Sequence, residues 1–383
     1  MAPTCNPHLR LLLPATPQCA VCKSAEGLSH CGSCKVESYC CREHQKSDWS
    51  RHKATCNALK QNRATLDREE QVLRKSKSDP FHNNAGRFWK IPTAQPYLQA
   101  RLALVDTLRK QQSRVAVEAA LFHSRQMLDL ARVDRIRVRE LMPDMYLRLG
   151  RDQECYDFIK WWYLADQDCR NDFEPTTPYL TLKGEDVFEP IVFHLAERQV
   201  TAPDWSHMVA LTLLKIRALL DLKCLHAIAI APPFNQIADD LGATSLTDKL
   251  INFYRSKSVS SIIANSSNLH ERITDTKGLA KTIQILQKQV AELYVMVVKE
   301  KEHLWCKFLN PVDTKGNNLL ELDPVLMGCE SCSEAAVVLQ NNYRSWYETP
   351  GAVELIRERA LQDVGSCTYM EHHGLDTNDG AHF

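Results

Sequence analysis

Cys19-Ala20-Val21-Cys22 opens a 38-residue stretch that ends at Cys56 and decides what kind of protein this is. Read for donors, the stretch is Cys19-x2-Cys22-x8-Cys31-x2-Cys34-x5-Cys40-x3-His44-x7-His52-x3-Cys56. These six cysteines and two histidines make two sets of four. Zinc favours closed tetrahedral sites of thiolate and imidazole, and pairs at x2 or x3 spacing chelate one ion. Cys40/His44 and His52/Cys56 stand four residues apart, so on a helix each pair shares a face. By spacing alone, the four pairs combine either in sequence or interleaved.

Energetics point the same way. A segment this short buries too little apolar surface to fold unaided. Structural zinc in small fingers contributes roughly 10–16 kcal/mol, apparent, at neutral pH. The expectation is two zinc ions that form the core of residues 19–56, and no fold there without them.

The run Tyr39-Cys40-Cys41-Arg42-Glu43-His44-Gln45-Lys46-Ser47-Asp48-Trp49-Ser50-Arg51-His52-Lys53-Ala54-Thr55-Cys56 resembles the second half of the MYND zinc finger. The two Cys-x2-Cys pairs fit its first half. The resemblance covers about a tenth of the chain and implies interleaved, cross-braced ligation. Cys19, Cys22, Cys40 and His44 would hold one zinc, and Cys31, Cys34, His52 and Cys56 the other. His44 stands where many members have cysteine; imidazole serves as well. The resemblance further implies capture of a proline-containing peptide of a partner protein, at Gln45, Trp49 and the Gly32-Ser33 pair between the third and fourth cysteines. Some members have serine where this chain has Gly32. An exposed indole stacks well on proline; alternatively, Trp49 packs inside the finger.

Charge bears on the partner class. Cys19–Lys60 holds seven Lys/Arg and four Asp/Glu, and each Cys3His zinc site takes off one charge, so the finger nets about +1. Phosphate-backbone readers carry far more positive charge. Over the whole chain Lys+Arg and Asp+Glu both number 47, which argues against a nucleic-acid footprint or polybasic membrane anchor.

Outward from the finger, residues 1–18 read as disordered; their leucine run, Leu11–Leu13, is cut by Pro14 and Pro17. Eight of the 15 cysteines lie in the first 56 residues, a clustering that reads as metal chemistry in a reducing, intracellular setting, cytoplasmic or nuclear. Residues 57–94 read as a charged helix, Asn57–Ser76, and a polar linker from Lys77 to Lys90 with Pro80 and Gly86.

Residues 95–364 read as an irregular α-helical domain. Apolar spacing predicts helices at Tyr97–Leu108, Val115–Leu130, Asp134–Leu149, and from Asp152 through Trp162. Gly150 marks a helix end, and Leu149-Gly150-Arg151-Asp152 makes a tight hairpin similar to one tetratricopeptide-like unit, without a second clean copy. Further helices are expected at Phe188–Arg198, Asp204–Leu225, Ser245–Tyr254, Thr274–Leu304, Cys332–Trp346 and Ala352–Leu361. The apolar stretch Val209–Phe234 is broken by Lys215, Arg217, Asp221 and Lys223, so it reads as core helix rather than a span. The apolar density of Thr274–Leu304 suggests packing on more than one side. Residues 365–383 read as a disordered tail. The fold class is therefore mainly α: a small two-zinc cross-braced finger followed by an irregular, partly TPR-like helical domain. Through Arg148–Phe158 and Trp346–Ala352 that domain is similar to the C-terminal regions of fungal MYND proteins.

Other candidate groups have plainer readings. Cys41 and His30 neighbour ligands but fall out of register. Cys329 and Cys332, at x2 spacing, lack a completing pair and read as small buried hydrophobes. Cys155 and Cys169 flank an aromatic cluster and carry no motif, and His372-His373 has no chelating partner. Tyr156, Phe158, Trp161, Trp162 and Tyr163 read as core aromatics.

The enzyme alternative is a protein-modifying enzyme with an active site in the helical region, methyltransferase-like because some proteins combine a MYND finger with a SET fold. Only 18 residues precede Cys19, and no Asn-His-Ser/Cys motif or cysteine triplet follows. Glycine numbers 13 in 383, and neither a P-loop, a Gly-x-Gly-x-x-Gly nor a Gly-x-Ser-x-Gly elbow is present. The expectation is a non-catalytic adaptor; a transcriptional regulator is the other alternative, with Arg68, Arg74, Lys75 and Lys77 as its basic residues.

Overall fold

The computed structural model describes residues 13, 16–76, 80–167, 178–190, 204–230, 251–312 except 253 and 256, 316, 318–321 and 330–363. The fold is mainly α, with a single two-stranded sheet among the described residues. Two compact units divide the chain: residues 12–149 with 161–181, and residues 150–160 with 182–383.

The first unit begins with the finger. Strands β1 (Ser29–His30) and β2 (Ser38–Tyr39) pair antiparallel, Ser29 opposite Tyr39 and His30 opposite Ser38. Helix α1 (Arg42–Ser47) follows, then α2 (Trp49–Arg74). α2 does not stop at the last metal ligand. Its buried residues are His52, Cys56, Leu59, Leu66 and Leu73, spaced by threes, fours and sevens along one face. That face first carries donors and then leucines, which pack on α4 (Gln95–Arg109).

The stretch read as a polar linker is folded from Pro80 onward. α3 (Pro80–Asn83) leads to a 3₁₀ turn at Phe88–Lys90, and Phe88 is buried edge-on against Phe81 and Tyr97. A phenylalanine among polar neighbours escapes periodicity analysis but still finds an aromatic partner. α5 (Arg114–Leu130) packs on α4.

The helix expected from Asp134 starts later. The Asp134 carboxylate accepts the amides of Val138 (3.0 Å) and Arg139 (2.6 Å), and Arg137 turns left-handed at φ 59°. The chain is helical only from a 3₁₀ turn at Val138–Leu141 into α6 (Met142–Arg148). Asp134 caps at a distance because an intervening αL residue breaks the helical path. Gly150, at φ 69°, supplies the left-handed residue that ends this segment. α7 (Asp152–Gln167) belongs to one unit up to Lys160 and to the other from Trp161. Of the five aromatics expected in the core, Tyr156, Phe158 and Trp162 are buried, while Trp161 and Tyr163 are only half-buried.

The second unit is built on α8 (Trp205–Ile230), buried nearly all round. Its three buried charges all have partners. Lys215 Nζ donates to Gln289 Oε1 at 2.8 Å and to the Val187 carbonyl. Arg217 pairs with Asp152 at 3.1 Å. Asp221 accepts the Ser258 hydroxyl and the Ser260 amide at 2.6 and 2.8 Å. Short helices α9 (Ser261–Ala264) and α10 (Leu269–Thr274) precede α11 (Thr276–Glu300).

α11 packs against α8 along one stripe, Leu279, Ile283, Leu286, Val290, Leu293 and Val297. Ile285 and Val295 stay exposed at 42% and 53%, so the expected packing on several sides is not what forms. α12 (Leu304–Leu309), α13 (Glu330–Glu348) and α14 (Ala352–Gln362) complete the unit. Trp305 stacks on Tyr294 at 5.8 Å and meets Trp346 at 5.4 Å. No helix among the described residues is long and apolar enough to cross a membrane.

Several expectations lie outside the described residues. These are the expected disorder over most of residues 1–18, the helices expected over 191–198 and 245–250, Cys169, Cys329, the Cys332 side chain, His372-His373 and the tail from 365.

Candidate metal centre

Two knuckles of the same build start the site. Lys23 and Lys35, each just after the second cysteine of a pair, are left-handed at φ 63° and 60°. Each amide reaches back to the first cysteine's carbonyl, Lys23 to Cys19 at 3.0 Å and Lys35 to Cys31 at 2.8 Å. A non-glycine residue in that conformation costs roughly 1–2 kcal/mol. The turn it makes aims backbone amides at sulfur, those of Val21 and Cys22 at Cys19 and those of Ser33 and Cys34 at Cys31; the Cys40 amide, just past β2, also serves Cys19. The β hairpin sets the second knuckle, with the Cys31 amide bonded to the Glu37 carbonyl at 2.8 Å. α1 and the first turns of α2 supply the other donors.

The donors converge in two groups, Cys19/Cys22/Cys40/His44 and Cys31/Cys34/His52/Cys56, with ligand atoms within 4.8 Å of one another in each. The pairing is interleaved, so the sequential alternative left open by spacing does not form. Zinc–ligand lengths of ~2.3 Å to sulfur and ~2.0–2.1 Å to nitrogen place tetrahedral sulfurs about 3.8 Å apart and sulfur about 3.5 Å from nitrogen. Observed separations are 3.8 Å for Cys31–Cys56, 3.5 Å for Cys22–Cys40, 3.4 Å for Cys34–His52 and 3.6 Å for Cys19–His44. Cys40–His44 is closer, at 3.1 Å. The histidines present different atoms: His44 offers Nδ1 and His52 offers Nε2.

Proton chemistry shows what these clusters require. Burial raises the Cys19 and Cys31 thiols, but the amides aimed at them outweigh it, and both fall to about 6. Their neighbours move the other way. Cys40 is pushed to about 12, chiefly by its contact with the Cys22 sulfur, and Cys34 to about 11, chiefly by burial. Such crowded sulfurs cannot all carry charge without a cation among them, and a dication meets that need. The donors fit two zinc ions, each held by four protein groups with no open coordination position. A set of four protein donors per ion is the build of structural zinc sites.

Around the second cluster the tyrosine hydroxyl of Tyr39 donates to Asp48 at 2.8 Å. Asp48 also takes two bonds from Arg51, at 2.7 and 2.6 Å. Burial opposes ionisation of Asp48, but Arg51 and Tyr39 hold its carboxyl below the ordinary range. The rings of Tyr39 and Trp49 both stand edge-on to His52, at 6.1 and 6.3 Å. His52 is thereby fixed between two aromatics.

The peptide-groove candidates are accessible. Trp49 is 43% exposed, so it does not pack inside the finger. Gln45 is half-buried, and Gly32 and Ser33 are exposed. A Cβ added at Gly32 meets nothing within 4 Å. Cys41 and His30 stay outside both metal clusters. In the second unit a cavity of about 190 Å³ lies among α8, α11 and α14, lined by Leu219, Val290 and Ile356 together with Lys223, Glu358 and Arg359.

Residues 19–56 match the family described as MYND finger. The finger is thus a zinc-binding, protein-interaction module of that class. Over 38 residues it is 47% identical to mouse Egl nine homolog 1 and 45% identical to the human protein of that name. The likeness spans about a tenth of this chain and of those relatives. No solved structure matches the chain.

Proposed function

We propose that this protein is a zinc-dependent, non-catalytic adaptor whose finger captures a proline-containing segment of a partner protein. The observation that carries the reading is Trp49: an indole open to solvent on one side and braced on the other by the metal-binding ring of His52. A rigid exposed aromatic offers a proline ring a flat face at little entropic cost. Gln45, one turn earlier, supplies amide hydrogen bonds, and the open Gly32-Ser33 turn leaves room for an extended backbone.

The non-catalytic part of the reading rests on the closed metal sites.

The test compares partners recovered by wild type and by Trp49→Ala, both carrying two zincs. Proline-containing peptides of the partners lost are then titrated against both proteins. Selective loss, with peptide binding weakened ~10-fold or more, supports capture at the finger. An unchanged partner set moves binding to the helical region.

A further inference from the structure

The two metal clusters differ in what surrounds them. In the first, Cys19 is buried, but Cys22 is exposed and Cys40 and His44 are half-buried. In the second, Cys31, Cys34, His52 and Cys56 are 3%, 0%, 1% and 1% exposed. A chelator in solution therefore meets a donor of the first cluster directly and reaches the second only after the protein opens.

The second cluster is also wired to the helices. His52 and Cys56 open the buried face of α2 that continues as Leu59, Leu66 and Leu73. Arg63 lies on the same face, four residues after Leu59 and three before Leu66, and its guanidinium donates to the Cys34 carbonyl. The Ser113 hydroxyl, at the start of α5, donates to the Val36 carbonyl at 2.7 Å, just past the same knuckle. Asn62 ties α2 to α4 through the Thr107 hydroxyl at 2.9 Å. The knuckle of the second cluster is thus held by α2 and α5, while α2 is itself held by the metal its first turns ligate.

From these contacts we infer that the two zinc sites are unequal. The Cys31/Cys34/His52/Cys56 zinc is a structural metal of the whole α2–α4–α5 layer, and the Cys19/Cys22/Cys40/His44 zinc is a peripheral clasp that leaves first. Arg63 is a positioning residue that keeps the Cys34 knuckle closed. Partners outside the coordination sphere commonly change metal affinity 10–100-fold.

The full-length two-zinc protein, challenged with excess 4-(2-pyridylazo)resorcinol, reports zinc release by colour. Hydrogen exchange read by mass spectrometry follows amides 57–74 and 95–130 in parallel. The expected result is two equal phases: the first zinc leaves with those amides still protected, and the second leaves as they lose protection. Cys22→Ser keeps one zinc and a protected α2. Arg63→Met leaves the first phase unchanged and speeds the second at least ~10-fold, and Arg63→Lys restores part of the delay. Release of both zincs in one phase, or loss of α2 protection in Cys22→Ser, overturns the inequality. An Arg63→Met protein whose second phase is unaltered, or whose two phases accelerate equally, overturns the role given to Arg63.

Discussion

The finger and the second helical unit solve the same problem with different materials. The finger has few buried apolar side chains besides its cysteines, chiefly Val36 and Tyr39, and gathers its chain around eight metal donors. The second unit surrounds α8 with apolar side chains and tolerates Lys215, Arg217 and Asp221 inside because each finds a partner. One core is therefore removable by a chelator and the other only by disrupting packing. The lesson is that this chain builds its stability on two different kinds of core.

Zinc removal should break that comparison most severely. Metal binding in such fingers supplies ~10–16 kcal/mol, apparent, at neutral pH. Exhaustive chelation is expected to unfold residues 19–56 while α8, α11, α13 and α14 keep their amide protection, measured by hydrogen exchange. Loss of protection in both regions at once would mean that the cores are not independent.

Next in size is the buried ion pair. Asp152 is fully buried, and burial pushes its carboxyl up even beside Arg217. Arg217→Met strands that carboxylate and is expected to cost ~3–5 kcal/mol in chemical denaturation of the second unit, with zinc content unchanged. A smaller, pH-dependent effect comes from Lys215. Burial lowers its ammonium from the ordinary 10.5 to about 8. Between those values the unfolded chain binds the proton and the folded chain does not, so stability rises with pH there. Below about 8 the burial penalty on the charge is present in full. Denaturation midpoints of wild type are expected to climb from pH 8 to 10, and those of Lys215→Met to lose that climb. Smallest is Trp49→Ala, an exposed site expected to change stability by less than ~0.5–1 kcal/mol and to keep two zincs. A thermal melt and metal analysis check it, and a larger loss would make the indole a packing residue after all.

Legibility followed the range of each interaction. The eight donors could be read from the sequence because chelation depends on spacings of two or three intervening residues. The long helices were legible for a similar reason, their periodicity being carried by neighbours one turn away. α9, α10 and α12, of six residues or fewer, are too short to show a period. The 80–90 segment looked like a linker because its anchors are two isolated phenylalanines, Phe81 and Phe88, that meet each other and Tyr97. At the site, the left-handed lysines after each cysteine pair carried no residue-type signal, since glycine is the usual choice there. Arg63 and Ser113 were invisible as site residues because their bonds span 29 and 77 residues.

From sequence alone came the donor atoms, their number, the metal they suit and the helical character of the remainder, all properties of short spacings and local periodicity. Interleaving of the pairs was implied by the resemblance and left open by spacing; tertiary structure alone decided that one cluster is sealed and the other open, and that α2 serves metal and helix core with a single face. Those outcomes depend on which distant surfaces meet, and side chains far apart along a chain carry no mark of their meeting until it has folded.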